Sequence, residues 1–253
     1  MQKVGSGMLY VAWQDPSENS RRWFPIGRLQ FRAGEYEFAY TQGALEATEK
    51  AGFIKIQQFD DLRKTYRQAD LFPVFSNRVL SHSRPDFKEF AQWLNLPADE
   101  QDPLVILARG GAVRKMDTLQ IFPEPENVDG KYVTHFFVHG IRHLPGALEA
   151  VEHLSPGTPL RVVHDAENAF DNLALKLLND DVCIGYCPRY LNKDLHKLLA
   201  SAPDKLSVQV ERVNPQSTPI QFRLLCRLEA AWPNGFTPFS DPEYQPIQQA
   251  LAS

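Results

Sequence analysis

The sequence has no long hydrophobic run and no excess of positive charge. It contains no stretch of about 18 consecutive apolar residues, which is the length that a transmembrane helix requires. The net charge is −4 at pH 7, so the chain as a whole lacks the positive field that drives tight, sequence-independent binding to duplex nucleic acid. Any contact with nucleic acid must therefore depend on a local group of residues.

Cysteine is also scarce, with three residues in the whole chain. The N-terminal segment has one lysine and only a short apolar patch before Gln14, so it does not resemble a signal peptide. These features predict a reduced, cytoplasmic protein without membrane contact. Cys183 and Cys187 would lie roughly 13 Å apart along a strand, too far to share one zinc ion. We expect these two residues and Cys226 to be structural, and we expect no metal or cofactor.

No arrangement of residues indicates catalysis. The segment Ser81–Asp86 contains serine, histidine and aspartate, but it stands at a predicted helix start, where Ser and Asp serve as caps. Gly110-Gly111 lacks the Lys and Ser/Thr of a phosphate-binding loop and is expected in a turn. The sequence therefore predicts a protein that is not an enzyme.

The length of 253 residues and the hydrophobic content of 43% are compatible with two domains. Residues 124–131 combine proline, Asn-Val-Asp-Gly and charge, which is typical of a linker. This divides the chain into a first domain, 1–123, and a second, 132–233. The last residues, 234–253, contain further prolines and are predicted to form an irregular tail.

The two domains are predicted to give an α+β protein. In the first domain, Tyr36, Phe38 and Tyr40 recur with the period of a strand, which indicates a small antiparallel sheet. Helices are predicted at 62–69 and 85–94, and the apolar run Leu104–Leu107 is predicted to be a buried strand. In the second domain, strands are predicted at 135–139, 160–163, 173–177, 182–186, 206–210 and 222–228, with one helix from Leu191 to Leu199. This order is typical of a small barrel of the OB or SH3-like kind.

A polar loop stands between two of these strands. It contains Asp165, Glu167, Asn168, Asp171 and Asn172. Short Asp and Asn side chains at such a position bond the local backbone and hold a turn, and that role alone accounts for them. Because an aromatic residue and arginines are expected nearby, the loop is also suited to bind a nucleic-acid end through phosphate, base and hydroxyl contacts. The residue types leave both alternatives open.

Three motifs in the second domain resemble the HIRAN family. They are HFFVHGIRHL (135–144), LRVVHDAENAFDNLALKLL (160–178) and IGYCPRYLNKDLHKLL (184–199). The resemblance implies a modified OB-like fold that captures the 3′ end of single-stranded DNA. It places Arg142 and Arg189 on phosphates, Phe170 and Tyr186 against nucleotides, and Asp171 on the terminal 3′-hydroxyl, with His143 and Asn172 in the same surface.

This sequence departs from the family pattern at two points. His143 and Leu144 replace a pair of aromatic residues, and Ala169 replaces the usual proline of the loop. The first change removes a stacking surface, so we expect weaker capture of a 3′ end or a different ligand.

The first domain resembles the N-terminal subdomain of HipA-type toxin kinases. The similarity is in PIGRLQF and GEYEFAY, between residues 25 and 40, and in LFPVFSNRVL (71–80). It implies an interaction domain that recruits or restrains a protein partner.

The sequence thus predicts a bacterial nucleic-acid-binding protein with a DNA-repair role, whose HIRAN-like domain recognises single-stranded 3′ ends. The first domain would bind a helicase, a nuclease or a toxin kinase. The alternative is a toxin-neutralising or regulatory protein in which the barrel is only a scaffold. A metal-dependent nuclease is the third possibility, because Asp165, Glu167, Asp171, Asp180 and Asp181 form one dense acidic group.

Overall fold

A computed structural model describes residues 7–17, 22–111 and 118–247. They form two compact units, and each unit contains its own antiparallel sheet. The first unit takes its described residues from Met1–Lys88, Ala98–Glu124 and Phe239–Ser253, and the second takes them from Glu89–Pro97 and Pro125–Pro238. The predicted α+β class is confirmed.

The sheet of the first unit has five strands in the order β4-β3-β2-β1-β5. Phe38 and Tyr40 point from β3 into its core and are almost fully buried, as their spacing predicts. The strands are β1 (Leu9–Gln14), β2 (Trp23–Arg32), β3 (Glu35–Tyr40), β4 (Thr65–Gln68) and β5 (Leu119–Pro123).

Four helices occur before the second unit's sheet begins: α1 (Gln42–Ala51), α2 (Pro73–Ser76), α3 (Phe87–Trp93) and α4 (Pro103–Gly110). Helix α1 lies so close to β2 that a Cβ atom at Gly43 would overlap the carbonyl oxygen of Pro25. The helix predicted at 85–94 is confirmed by α3.

The prediction of a strand at Leu104–Leu107 was wrong, because these residues lie within α4. The helix begins with Asp102, whose side chain accepts a hydrogen bond of 2.8 Å from the Leu104 N–H. Pro103 occupies the first turn, and Gly111, with φ of 66°, ends the helix in the left-handed conformation. The turn expected at Gly110-Gly111 is found at Gly111, which caps the helix, whereas Gly110 is the last residue of α4.

The prediction of a helix at 62–69 was also wrong. Residues 65–68 form β4, which pairs with β3 so that Tyr66 lies opposite Phe38. The helix-like spacing of Leu62, Tyr66 and Ala69 is outweighed by the backbone pairing that the edge of the sheet offers.

The second unit contains a seven-stranded sheet in the order β10-β9-β8-β11-β12-β7-β6. One isolated bridge, between His139 and Tyr186, joins the chain just after β7 to β10 at the other end of this order. No closed barrel is formed by the ladders of the described strands. The elements are β6 (Glu126–Val128), β7 (Lys131–Phe137), α5 (Ala147–Glu152), β8 (Pro159–His164), β9 (Leu175–Asn179), β10 (Val182–Tyr186), α6 (Arg189–Ser201), β11 (Ser207–Val213) and β12 (Leu224–Ala231).

The segment predicted to be a linker, 124–131, contains the first strand and the turn of a hairpin instead. Strands β6 and β7 pair directly, and the turn between them has positive φ at Asp129 and Gly130. The Asn127 side chain accepts a hydrogen bond of 3.0 Å from the Gly130 N–H. Asp129-Gly130 is therefore the turn of a hairpin, although the boundary between the units does fall at Glu124.

The predicted tail, 234–253, is also divided differently. From Phe239 onward its described residues belong to the first unit, where Tyr244 stacks on Phe239 at a centroid distance of 4.8 Å. A bridge between Thr41 and Pro246 adds backbone contact. The end of α3 belongs to the second unit, because Trp93 stacks on Phe222. Across the described ranges, every helix is too short or too polar to cross a lipid bilayer.

Candidate functional site

The polar loop between β8 and β9 is closed by its own side chains. The side-chain oxygen Oδ1 of Asn168 accepts hydrogen bonds from the N–H groups of Phe170 and Asp171, at 3.0 and 3.1 Å. The Asp171 carboxylate accepts a bond of 3.0 Å from the Leu173 N–H. The prediction that Asp and Asn side chains hold a turn is confirmed for Asn168 and Asp171. Strand β8 ends at His164, and these hydrogen bonds then satisfy backbone N–H groups of the loop.

Helix α6 holds the loop from outside. Asn192, almost fully buried, donates a hydrogen bond of 2.9 Å to the second carboxylate oxygen of Asp171. Arg189, in the first turn of α6, donates a bond of 2.7 Å to the carbonyl oxygen of Phe170, and its Nε lies 3.7 Å from Asp171 Oδ2. Two residues of one helix therefore fix the backbone at Phe170 and the carboxylate of Asp171.

Two histidines fix the last part of the loop. His164 Nε2 lies 2.7 Å from the carbonyl oxygen of Asn172, and His196 Nε2 lies 3.1 Å from that of Leu173. The two rings meet edge to face at a centroid distance of 4.7 Å. Because carbonyl oxygens only accept, each Nε2 must carry the proton. Asn172 thus contributes its main chain to the loop.

Asp165 connects the loop to β10. Its carboxylate accepts a hydrogen bond of 2.9 Å from the Tyr186 hydroxyl and one of 3.2 Å from the Asn168 side chain, and Lys176 Nζ lies 3.6 Å away. The hydrogen bond from Tyr186 is the main cause that lowers the pKa of Asp165. Desolvation, and then the bond to Asp165, raise the pKa of Tyr186 to about 12. At neutral pH the site therefore holds a charged carboxylate and a neutral phenol.

Phe170 stands out from this network. Its side chain is 76% exposed, yet its N–H donates to Asn168 and its carbonyl accepts from Arg189. An exposed apolar ring gains nothing from burial, so the hydrogen bonds, and not packing, fix its position. The loop presents an aromatic face to solvent on a fixed backbone.

Arg142 and His143 lie in a short 3₁₀ turn, Ile141–His143. Both residues are exposed, and Arg142 Nε donates a hydrogen bond of 2.9 Å to His143 Nε2. The turn follows directly on the bridge between His139 and Tyr186.

The structure therefore links Phe170, Asp171 and Arg189 by direct bonds, and it links Tyr186 to them through Asp165 and Asn168. Arg142 and His143 bond to each other in the turn that follows the bridge between His139 and Tyr186, and this side-chain bond does not reach the loop. Sequence reasoning missed Asn192, whose only signal is a polar side chain on the apolar side of α6, between Leu191 and Leu195.

The cysteines are free, and Cys187 and Cys226 are buried, as predicted for structural residues, whereas Cys183 is half-buried. Burial raises the pKa of the Cys187 thiol to about 12, which keeps it protonated. In the part of the chain that the structure describes, no three His, Cys, Asp or Glu side chains are grouped to hold a metal ion.

Fold and site define an α+β protein whose second unit presents a hydrogen-bonded aromatic loop. Residues 131–229 match the model of one protein family, the HIRAN domain. The chain contains a HIRAN domain, and this region includes every predicted site residue. HIRAN domains are known for DNA binding. The family match leaves out the first unit, so its resemblance to HipA-type subdomains stays a prediction.

Two solved structures are similar to part of the chain. One is a protein from Lactobacillus plantarum, with 19% identity and a TM-score of 0.33, covering 40% of this chain and 97% of that one. The other is the HIRAN domain of human HLTF, with 16% identity and a TM-score of 0.31, covering 40% of this chain and 74% of that one. A search of curated proteins returns no match.

Proposed function

We propose that the HIRAN domain binds single-stranded DNA at a 3′ end, with the loop around Phe170 as its contact surface. The observation that carries this proposal is the exposed ring of Phe170 on a backbone held by Asn168 and Arg189. A base can stack on such a ring without displacing any part of the core, and stacking contributes about 1–3 kcal/mol per base. Because the backbone is already ordered, little conformational entropy is lost on binding.

Charge enters through a small number of side chains. Arg142 is exposed in the 3₁₀ turn that follows His139, and Arg189 is half-buried at the start of α6. If these two arginines neutralise two phosphates, the logarithm of the binding constant falls with the logarithm of salt concentration with a slope of about −1.4. Such a shallow slope agrees with a chain of net charge −4, which has no excess of positive charge.

Asp171 has room for a hydroxyl group. A carboxylate offers about four lone-pair positions, and Asp171 uses positions for the Leu173 N–H and the Asn192 amide, with Arg189 close by. A further position remains for the terminal 3′-hydroxyl. A 3′-phosphate would place negative charge against this carboxylate, so the site favours a free hydroxyl end.

Fluorescence anisotropy with short single strands tests this function. We expect a strand with a free 3′-hydroxyl to bind more tightly than the same strand with a 3′-phosphate. Arg142→Ala should weaken both strands, and Asp171→Asn should reduce the difference between them. Arg161→Ala is the matched control, because Arg161 is exposed on β8 and contacts Asp180 and Asp181 in the β9–β10 turn. Equal binding by Arg142→Ala and wild type would refute the assignment.

The protein is proposed to have no catalytic activity of its own, so any enzymatic step on the DNA belongs to a partner. A nuclease assay with Mg²⁺ or Mn²⁺ tests this. Metal-dependent cleavage that is lost in Asp171→Asn would replace the binding function by a hydrolytic one.

The first unit is proposed to bind that partner, which would be a helicase, a nuclease or a toxin kinase. The charge balance supports a protein ligand, since the residues of this unit, 1–88, 98–124 and 239–253, carry 16 Lys or Arg against 17 Asp or Glu and so have no excess of positive charge for phosphate. Affinity purification from the native host tests this, followed by titration with the purified partner. Co-purification of a toxin kinase without any DNA binding would favour the alternative function, a toxin-neutralising protein.

A further inference from the structure

His139 lies beside Tyr186, although the sequence gives it no role in the site. The His139 N–H donates a hydrogen bond of 3.0 Å to the Tyr186 carbonyl, and the Tyr186 N–H donates one of 2.9 Å in return. Two residues that exchange both bonds in an antiparallel pair carry their side chains on the same face, with Cβ atoms about 5 Å apart. The imidazole of His139 is therefore a direct neighbour of the Tyr186 phenol.

Two glycines make this approach possible. A Cβ atom at Gly185 would overlap Val138 and the His139 carbonyl oxygen, and Gly185 has φ of 156°. A Cβ atom at Gly140 would lie 3.2 Å from Cδ2 of the Tyr186 ring. Each of the two bridged segments thus requires a glycine, Gly140 beside His139 and Gly185 beside Tyr186. The close approach that the glycines allow fixes the position of His139 relative to Tyr186.

The surroundings favour the neutral imidazole. Burial among the atoms around the ring, followed by the charge of Arg189, lowers the pKa of the His139 side chain, although part of the residue still reaches solvent. Tyr186 on β10 is bridged to His139, and Arg189 on α6 is close enough for its charge to act on the ring. A neutral imidazole has one N–H donor and one acceptor nitrogen, so it suits the polar edge of a base or a sugar hydroxyl better than a phosphate.

We propose that His139 is a further binding residue of the loop surface, which forms a hydrogen bond to the base or sugar of the nucleotide beside Tyr186. This inference rests on the proposed function of the HIRAN domain. It adds a contact next to the turn where His143 and Leu144 stand in place of the family's paired aromatic residues.

Three substitutions of His139 separate the ways in which its side chain can act. His139→Ala should weaken binding of a single strand about fivefold or more, the loss expected for one hydrogen bond. His139→Gln, which keeps a donor and an acceptor, should stay within about twofold of wild type, and His139→Phe should weaken binding as His139→Ala does. His153→Ala is the control, because His153 is exposed at the end of α5 and its ring nitrogen contacts only the Glu149 carbonyl.

Each result of these titrations has a distinct meaning. If the wild type binds no single strand, the proposed function fails. If the wild type binds and His139→Ala binds equally well, this inference is overturned while the proposed function stands. Wild-type affinity in His139→Phe with weak binding in His139→Gln would also overturn it, since the contact would then be stacking. Thermal unfolding checks that each variant is folded. If His139→Ala is destabilised, the affinities of His139→Gln and His139→Phe decide between a hydrogen bond and stacking.

Discussion

Aromatic residues serve different purposes in the two units. In the first unit, Phe38 and Phe59 are fully buried and stack at a centroid distance of 4.1 Å. In the second, Phe170 is exposed, and its backbone is held by a hydrogen bond that its N–H donates to Asn168 and one that its carbonyl accepts from Arg189. In the first unit the rings stabilise the fold, whereas in the loop the fold positions the ring. The comparison teaches that a polar network around an exposed ring is a better sign of function than aromatic content.

The largest expected effect is on stability in the first unit. Phe38→Ala removes a ring that contacts Tyr40, Phe59 and Phe75, and we expect it to lower the free energy of unfolding by about 3–5 kcal/mol. Chemical denaturation measures this loss. Phe31→Ala is the control, because Phe31 is 42% exposed and should cost much less. A loss below about 1 kcal/mol in Phe38→Ala would contradict the role given to the buried rings.

The same substitution in the loop should have the opposite result. Phe170→Ala removes the exposed ring, so we expect single-strand affinity to fall by about 1–3 kcal/mol. The free energy of unfolding should change by no more than about 0.5 kcal/mol. Anisotropy and thermal unfolding of one preparation give both values. Unchanged affinity in Phe170→Ala would contradict the proposal that a base stacks on the Phe170 ring.

A pH series tests the network below the ring. The pKa of Asp165 is lowered in the folded protein, chiefly by the hydrogen bond from the Tyr186 hydroxyl. The carboxylate therefore stabilises the folded protein above its unfolded-state pKa of about 3.9, and this stabilisation is lost as the pH falls through its folded-state pKa. Asp165→Asn should therefore be less stable than wild type at pH 7, by about 0.5–1.5 kcal/mol. The two proteins should converge in acid. If the difference in the free energy of unfolding between wild type and Asp165→Asn grew as the pH fell, the lowered pKa assigned to Asp165 would be contradicted.

The smallest effect is expected at an exposed ion pair away from the loop. Lys131 Nζ lies 3.0 Å from Glu229, and the lysine side chain is 61% exposed. Lys131→Ala should change the free energy of unfolding by less than about 1 kcal/mol and leave single-strand affinity unchanged. A clear loss of affinity would extend the interface beyond the loop and weaken the comparison.

Local signals predicted much of the fold. Helix α6 and the strands β7 to β12 of the second unit follow from their apolar periods and turn residues, whereas β6 was predicted to be part of a linker and α5 was not predicted. The run Leu104–Leu107 misled because four consecutive buried residues occur in helices as well as strands, and the cap at Asp102 decides between them. Helix α1 was missed, since its buried face consists of Gly43, Ala44 and Ala47, which give little hydrophobic signal.

The candidate site was predictable only in part. Each of its three motifs is a continuous segment of the sequence, so the residues of the loop, and Arg189 in the motif after it, could be named in advance. The bond from Asn192 to Asp171 and the bridge from His139 to Tyr186 depend on how α6 and β7 return to the loop. Such contacts between distant segments leave no periodic pattern, and the residues that make them could not be recognised before the structure.

The most direct test of the central claim is an NMR titration of the ¹⁵N-labelled protein with a single strand bearing a free 3′-hydroxyl. The account predicts that the shifted amide signals concentrate in three segments, 139–143, 165–173 and 186–192. The five-stranded sheet of the first unit should remain unperturbed. Shifts confined to the first unit, or no shifts at saturating oligonucleotide, would contradict the claim that the loop around Phe170 is the nucleic-acid-binding surface.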